Sequence, residues 1–349
     1  MKRYGIVILY LLFVLISPLY AQSGLFDAYP NLKSHVPYLA LGSLDATPIV
    51  VARAIGQPWG TKLYVKCDGV YGIDKSGKKI FTGNKRRKLE FLLADALAHG
   101  AKRIYALGGA GSNFATATAA YARELGLACT LVLGPQRNTR YVQRNLKLDL
   151  FYGADIVACP TREARTQTCN ALAQNDPFGY FVPLGGSNKV GAFGFVNAAF
   201  ELKKQIDANI VPKPDVIYIT ISSAGMAAGL IVGLKAAGLD IPVRPVRIDD
   251  TPEETEGELA RLIQETSDTL HGYDQTFPLV HLAADQLQMI NDMAGEPYIH
   301  ADYAGIKRHR DMHFDAYALI TPEDARAVQM LYTYTGIKLD QDFDLTLKT

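Results

Sequence analysis

Thr82-Gly83-Asn84-Lys85-Arg86-Arg87-Lys88-Leu89-Glu90 is the stretch around which this chain reads. Glycine followed by asparagine marks a turn, since both tolerate backbone conformations that β-branched residues avoid. Beyond it, Leu89, Phe91, Leu92, Leu93, Ala96 and Leu97 recur near helical spacing. Lys85 therefore stands where a loop enters a helix, and Lys88 follows one turn later on the same face. A helix N-terminus favours anions, and this one also carries the cations Lys85, Arg86, Arg87 and Lys88. An amine crowded by cations loses its proton more easily and becomes a usable nucleophile. A solvated basic helix start accounts for the same residues, so the rest of the chain has to decide.

Outward from that stretch, helical and strand-like segments alternate. Helices are predicted over residues 87–99, 113–125, 139–148 and 161–172, and strands over 103–107, 128–133, 155–158 and 179–182. Such alternation predicts parallel strands joined by crossover helices, an α/β fold. Gly185-Gly186-Ser187-Asn188 is a further turn. It precedes a helix over 190–206 whose Gly191, Gly194, Asn197 and Ala198 predict close packing. A strand over 216–221, a helix over 227–237 and a strand over 243–248 follow, and Thr251-Pro252-Glu253-Glu254 reads as a helix start. Upstream, 22–46 is an irregular lead-in, 62–66 a strand, and 71–80 a polar hairpin-like excursion.

Two strand-to-helix turns are built from small residues: Gly108-Gly109-Ala110-Gly111-Ser112-Asn113 and Ser222-Ser223-Ala224-Gly225. A nucleophilic lysine with two such turns suggests a bound anionic cofactor. Together they resemble the fold type II pyridoxal-phosphate enzymes, and the closest branch looks like the D-cysteine desulfhydrase and aminocyclopropane-carboxylate deaminase family. Its pattern G-N-K-x-R-K-L-E is matched from Gly83 to Glu90, and the likeness runs from about Thr47 to the C-terminus.

The resemblance implies two three-layer α/β/α domains with mostly parallel sheets and pyridoxal 5'-phosphate in the cleft between them. The small domain would span 90–182 and the large one 22–89 plus 183–349. It also implies roles. Lys85 would be the Schiff-base lysine and Lys88 would face the phosphate, cradled by Ser222, Ser223, Ala224, Gly225 and Met226. Asn113 would bond the cofactor's phenolic oxygen, and Ser112 would hold the substrate carboxylate and relay a proton. Departures from the family pattern surround these residues. Met226 stands where the family has threonine, Gly111 where it has glutamine, Phe114 where it has Gln or His, and Thr116-Ala117 where it has an Arg-Gln pair. The substrate end is therefore more apolar. Near the C-terminus, Phe343 takes the place of an active-site tyrosine, Asp344 falls where a carboxylate meets the pyridine nitrogen, and Tyr317 falls at a second tyrosine position. Five residues follow Asp344, where the family continues, so the chain reads as short.

These readings imply a lyase or deaminase of a small amino acid. Desulfhydrase-like β-elimination to pyruvate, sulfide and ammonia is favoured, and aminocyclopropane-carboxylate deaminase-like ring opening is the enzymatic alternative. The departures motivate another class, a non-catalytic exported binding protein derived from the fold. The family likeness further implies a homodimer.

Composition bears on location and partners. Lys2 and Arg3, the apolar run over 6–16 and Ala21 read as a secretory signal peptide over 1–21, with an uncleaved anchor as the alternative. Export to the periplasm or beyond follows, with no membrane association after cleavage. The 36 basic and 35 acidic residues leave a net charge of +1, which recommends no nucleic acid as partner. An oxidising compartment permits disulfides among Cys67, Cys129, Cys159 and Cys169, of which Cys159 and Cys169 are nearest in sequence. Free buried thiols are the reading for Cys67 and Cys129. His309 and His313 have i, i+4 spacing, but no cysteine or carboxylate pattern accompanies them, and no metal is expected.

Overall fold

Polar caps decide where most of the long helices start. A computed structural model describes residues 23–41, 46–57, 60–70, 83–247, 252–282 and 287. In chain order its elements are α1 (Gly24–Ala28), β1 (Ile49–Val51), α2 (Arg53–Gly56), β2 (Tyr64–Lys66), α3 (Lys85–Ala98), β3 (Arg103–Gly109), α4 (Asn113–Glu124), β4 (Ala128–Gly134), α5 (Arg140–Phe151), β5 (Asp155–Ala158), α6 (Arg162–Asn175), β6 (Gly179–Val182), α7 (Lys189–Asp207), β7 (Ile217–Ile221), α8 (Gly225–Ala236), β8 (Val243–Arg247) and α9 (Pro252–Tyr273). The side chains of Ser112, Thr139, Thr161 and Asn188 each accept the backbone N–H three residues on, capping α4, α5, α6 and α7. Helix α3 starts two residues before the apolar stripe predicts. Asn84 is already in the right-handed helical region and its carbonyl accepts the Arg87 N–H at 3.3 Å, a backbone event that side-chain periodicity does not register.

The alternating segments form one four-stranded parallel sheet of order β5-β4-β3-β6. Its central strands are buried almost throughout, as a sheet covered on both faces requires. The period-two alternation of side chains then divides the core. Ile104, Ala106, Leu131 and Leu133 pack with Leu89, Leu92, Leu93, Phe114 and Tyr121, while Tyr105, Leu107 and Val132 pack with Cys159 and Cys169. Strands β7 and β8 form a second parallel pair, and β1 pairs antiparallel with β2. A separate core gathers Leu25, Phe26, Phe91, Phe193, Phe200, Leu234, Leu262 and Phe277 from α1, α3, α7, α8, α9 and the residues around them. The α/β class with mostly parallel sheets is thus the observed one.

All four cysteines are free, buried thiols. The disulfide permitted by export is not formed: Cys159 and Cys169 share a small apolar core as thiols, and burial pushes Cys169 up to about 12. Among the described residues no helix is long and apolar enough to cross a membrane. The leader over 1–21, the excursion over 71–80, the helix start at Thr251, and His309 and His313 lie outside the described residues.

Close packing around α7 is as the small residues predict. A Cβ added at Gly194 would lie 2.0 Å from the Arg87 carbonyl oxygen, and one at Gly229 of α8 would lie 2.1 Å from that of Ala192. Asn197 accepts from Ser23 Oγ at 2.8 Å, tying α7 to the residue before α1.

A buried ion network fastens the same region. Arg87 Nε and an Nη donate to the two Asp68 oxygens at 2.9 and 2.8 Å, and the other Nη donates to Glu201 Oε2 at 2.8 Å. Lys66 Nζ meets Glu201 Oε1 at 2.5 Å, and Thr47 N donates to that oxygen at 2.8 Å. The network joins β2, α3 and α7. Burial opposes the charge on Glu201, yet Arg87 and Lys66 outweigh it and hold the carboxyl at about 2.

Two predictions follow for denaturant unfolding. Gly229→Ala should destabilise by about 1–3 kcal/mol through overpacking, whereas Gly257→Ala, at an exposed α9 position with open space, should stabilise by about 0.4–1 kcal/mol. Equal effects would contradict the close α7–α8 approach. Glu201→Gln should cost about 3–5 kcal/mol at neutral pH by leaving Lys66 without its counter-ion and Arg87 with Asp68 alone. The folded carboxyl titrates below its ordinary 4.5, so its contribution is present above that value and lost as pH falls through about 2. The variant's stability should therefore fall less steeply than the parent's over that window.

Candidate active site

Four cations open α3, and the structure gives each a different setting. Arg86 Nε pairs with Glu90 Oε1 at 3.1 Å, both buried, and Arg87 belongs to the network above. Lys85, half-buried, donates from Nζ to Asn84 Oδ1 at 2.7 Å. Lys88 is buried, and its Nζ donates to the Gly185 carbonyl and to Ser187 Oγ, both at 2.9 Å. Burial first, and then the neighbouring charge of Lys85, push Lys88 down to about 7. The solvated basic helix start is therefore not what forms, because α7 and its preceding turn cover this face.

Ser187 is the hub, and it was read from the sequence only as part of a turn. Its Oγ accepts from Lys88, donates to Ser223 Oγ at 2.8 Å, and receives the Gly225 N–H at 3.3 Å. Lys88 from α3, Ser187 from the turn before α7, and Ser223 and Gly225 from the turn into α8 thus converge. The signal that could have found Ser187 is its place in a glycine-rich turn ahead of a helix, the pattern shared by the other two turns.

This cluster has the character of an anion cradle. It offers an ammonium, two hydroxyls and a backbone N–H at the start of a twelve-residue helix. A Cβ at Gly225 would sit 2.8 Å from Ser187 Oγ and 3.1 Å from Lys88 Nζ, so only glycine leaves that space clear. Ala224 holds φ +60°, a conformation uncommon for a residue with a Cβ, which turns the backbone into this arrangement. A phosphate group fits the donor set.

The other candidate residues fall into place around it unevenly. Met226 is half-buried and its Sδ accepts from Asn84 Nδ2 at 3.1 Å, so Asn84 links Lys85 to the α8 start. Ser222 is exposed at the end of β7, unlike Ser223 beside it. Ser112 caps α4 through Ala115 N at 3.2 Å, and Asn113, buried, accepts from Asn145 Nδ2 at 3.0 Å. Phe114 is buried against Gly186, where an added Cβ would meet its ring at 2.4 Å, so the α4 start abuts the Ser187 turn. Tyr317, Phe343 and Asp344 lie outside the described residues.

Comparisons with known proteins agree with a phosphate-bearing cofactor. A protein of Thermotoga maritima provisionally named 1-aminocyclopropane-1-carboxylate deaminase is 34% identical over 212 residues, covering 59% of this chain and 64% of the relative, just under two thirds of its length. A D-cysteine desulfhydrase of Yersinia pestis is 33% identical over 235 residues, covering 65% of this chain and 68% of the relative. The crystal structure of an ACC deaminase homologue superposes with a TM-score of 0.70 at 26% identity, covering 91% of this chain and 85% of that one. Nothing in these comparisons supports a non-catalytic binding protein. Residues 42–336 match the family described as pyridoxal-phosphate dependent enzyme, and the chain belongs to that family.

Proposed function

We propose that this protein is a pyridoxal-phosphate-dependent lyase of a small amino acid that performs desulfhydrase-like β-elimination. The observation that carries this reading is the Lys88–Ser187–Ser223–Gly225 cradle one helical turn from Lys85. The Yersinia relative's name supports the reaction class. For D-cysteine the balance is one substrate and one water to pyruvate, hydrogen sulfide and ammonia. Ring opening is the second reading, favoured by the names of the Thermotoga relative and the superposed homologue.

Bound pyridoxal phosphate supplies an electron sink for negative charge at an amino-acid α-carbon. Lys88, Gly225 N–H, Ser187 and Ser223 would hold its phosphate, and Lys85 its reactive carbon. The Lys85 amine, held by Asn84 Oδ1 at 2.7 Å, would serve as the base that takes the substrate's α-proton. Asn113 would donate to the ring oxygen. Ser112, at the N-terminus of α4, holds the substrate carboxylate. Phe114 supplies an apolar wall. By the family resemblance, Tyr317 and Phe343 would face the substrate and the Asp344 carboxylate would pair with the pyridine nitrogen. Residues 1–21 support an exported enzyme, and the family likeness supports a homodimer.

Lys85→Ala should lose the borohydride-bleachable visible band and reduce turnover of D-cysteine by about 10²–10⁴-fold or more. Peptide mapping of the reduced parent protein should find the modified lysine at 85, and survival of turnover in the variant would sink the mechanism.

The second prediction concerns Lys88 in the cofactor-free protein. Unfolded, its amine titrates near 10.5, and folded near 7, so the unfolded chain binds more protons between these values. Stability should therefore rise with pH across that window through this group. An anion needs the charged amine, so calorimetric binding of inorganic phosphate should weaken as pH climbs from 7 to 9, by up to about tenfold per unit. Lys88→Met should bind phosphate more weakly and without that slope. An unchanged slope would remove Lys88 from the cradle.

A further inference from the structure

We propose that Asn145 is a positioning residue for Asn113, and that Arg144 sets Asn145 in turn. The inference rests on the reading above, in which the Asn113 amide donates to the cofactor's ring oxygen. An asparagine amide has one accepting and one donating end, and only one orientation serves that purpose. The structure shows what decides the orientation.

Helix α5 lies directly against the turn that carries Ser112 and Asn113. A Cβ added at Gly111 would meet Val142 Cγ2 at 2.8 Å and Tyr141 Cε1 at 3.1 Å. One turn along α5, Asn145 is fully buried. Its Nδ2 donates to the Gly111 carbonyl at 2.8 Å and to Asn113 Oδ1 at 3.0 Å, which uses both N–H bonds. Its Oδ1 accepts from Arg144 Nη at 2.9 Å and from Nε at 3.2 Å. Turning the Asn145 amide over would set its oxygen against two acceptors and its nitrogen against a guanidinium. The Gly111 carbonyl, which can only accept, and the Arg144 guanidinium, which can only donate, therefore settle it without reference to Asn113. Arg144 is itself steadied over the Tyr141 ring, 5.1 Å from its centre.

The consequence passes to Asn113. The Asn145 donor thus assigns the end of the Asn113 amide that faces α5 as the oxygen, and the other end as the nitrogen. The Gly111 peptide is gripped from both sides, its carbonyl by Asn145 and its N–H by Gln136 Oε1 at 2.8 Å. The turn and the amide on it are thus set by side chains from the next strand-to-helix segment.

The experiment uses the cofactor-loaded enzyme and reads the pH titration of its visible band, together with cofactor retention on dialysis. A donor to a ring oxygen stabilises negative charge there, so losing it should raise the midpoint. Asn113→Ala should move the midpoint up by about one pH unit. Asn145→Leu, close in shape but without a donor, should move it the same way by at least about half as much. The double variant should move no further than Asn113→Ala alone, as expected for residues acting in series. Retention should stay within about threefold of the parent, because the Lys88–Ser187–Gly225 cradle is untouched. Arg144→Met, at a half-exposed position, should shift the midpoint upward by less, and it decides the matter if Asn145→Leu does not fold. If Asn113→Ala shifts the midpoint while Asn145→Leu, or Arg144→Met in its stead, leaves it in place, the positioning role is overturned and the Asn113 reading survives. If Asn113→Ala leaves the midpoint in place, the ring-oxygen reading fails and the inference falls with it.

Discussion

The site depends on how closely α7 approaches the first turn of α3. Glycine at 194 lets the helix rest on the Arg87 carbonyl, and glycine at 191 lets it fold back over the Gly186 carbonyl. Ser187 lies two residues before α7, so docking that helix delivers its hydroxyl to Lys88. The same helix brings Glu201 to Arg87. One packing contact therefore sets both the structural ion network and the candidate phosphate cradle. Ser187 just ahead of α7 and Glu201 within it are tied to one rigid element, which holds them in register.

Four cations within one turn would repel one another and, once buried, would each cost several kcal/mol without partners. The chain resolves this by dividing them. Arg86 and Arg87 meet carboxylates, which suits the planar, permanently charged guanidinium. Lys88 meets a carbonyl and a hydroxyl, neither charged, and its ammonium is held near neutrality in pKa. A buried amine in that state gains from an anion, and the adjoining N–H and hydroxyls point to what kind. The structural and the functional cations differ in residue type for this reason.

The departures from the family pattern also acquire physical reasons. Met226 lacks the hydroxyl of threonine, yet its sulfur accepts from Asn84 and keeps the α8 start tied to the lysine turn. At position 111 the space a side chain would need is taken by Val142, Tyr141 and Gln136, and the Gln136 amide bonds the Gly111 N–H. Phe114 fills the gap against Gly186, which makes that wall apolar.

Much of this protein was legible in the sequence. Alternating helix and strand signals between Arg87 and Val182 determined a parallel sheet, because side-chain periodicity and caps act locally and the handedness of crossovers leaves few topologies. The Gly83–Glu90 pattern and two small-residue turns pointed to an anionic cofactor, because an amine and an anion cradle need particular residue types at helix starts, and the same residues carried the resemblance to the family. Four things were decided only by tertiary structure: the burial of Lys88, the hub role of Ser187, the exposure of Ser222, and the hold of Asn145 on Asn113. Each joins segments from 32 to 99 residues apart, or depends on which side of a turn faces the packed interior. Local sequence marks the glycine-rich turn that carries Ser187, but it does not say which side chains such a turn will meet. The free state of Cys159 and Cys169 belongs with these, since the apolar core that encloses them exists only once α6 has packed onto its sheet.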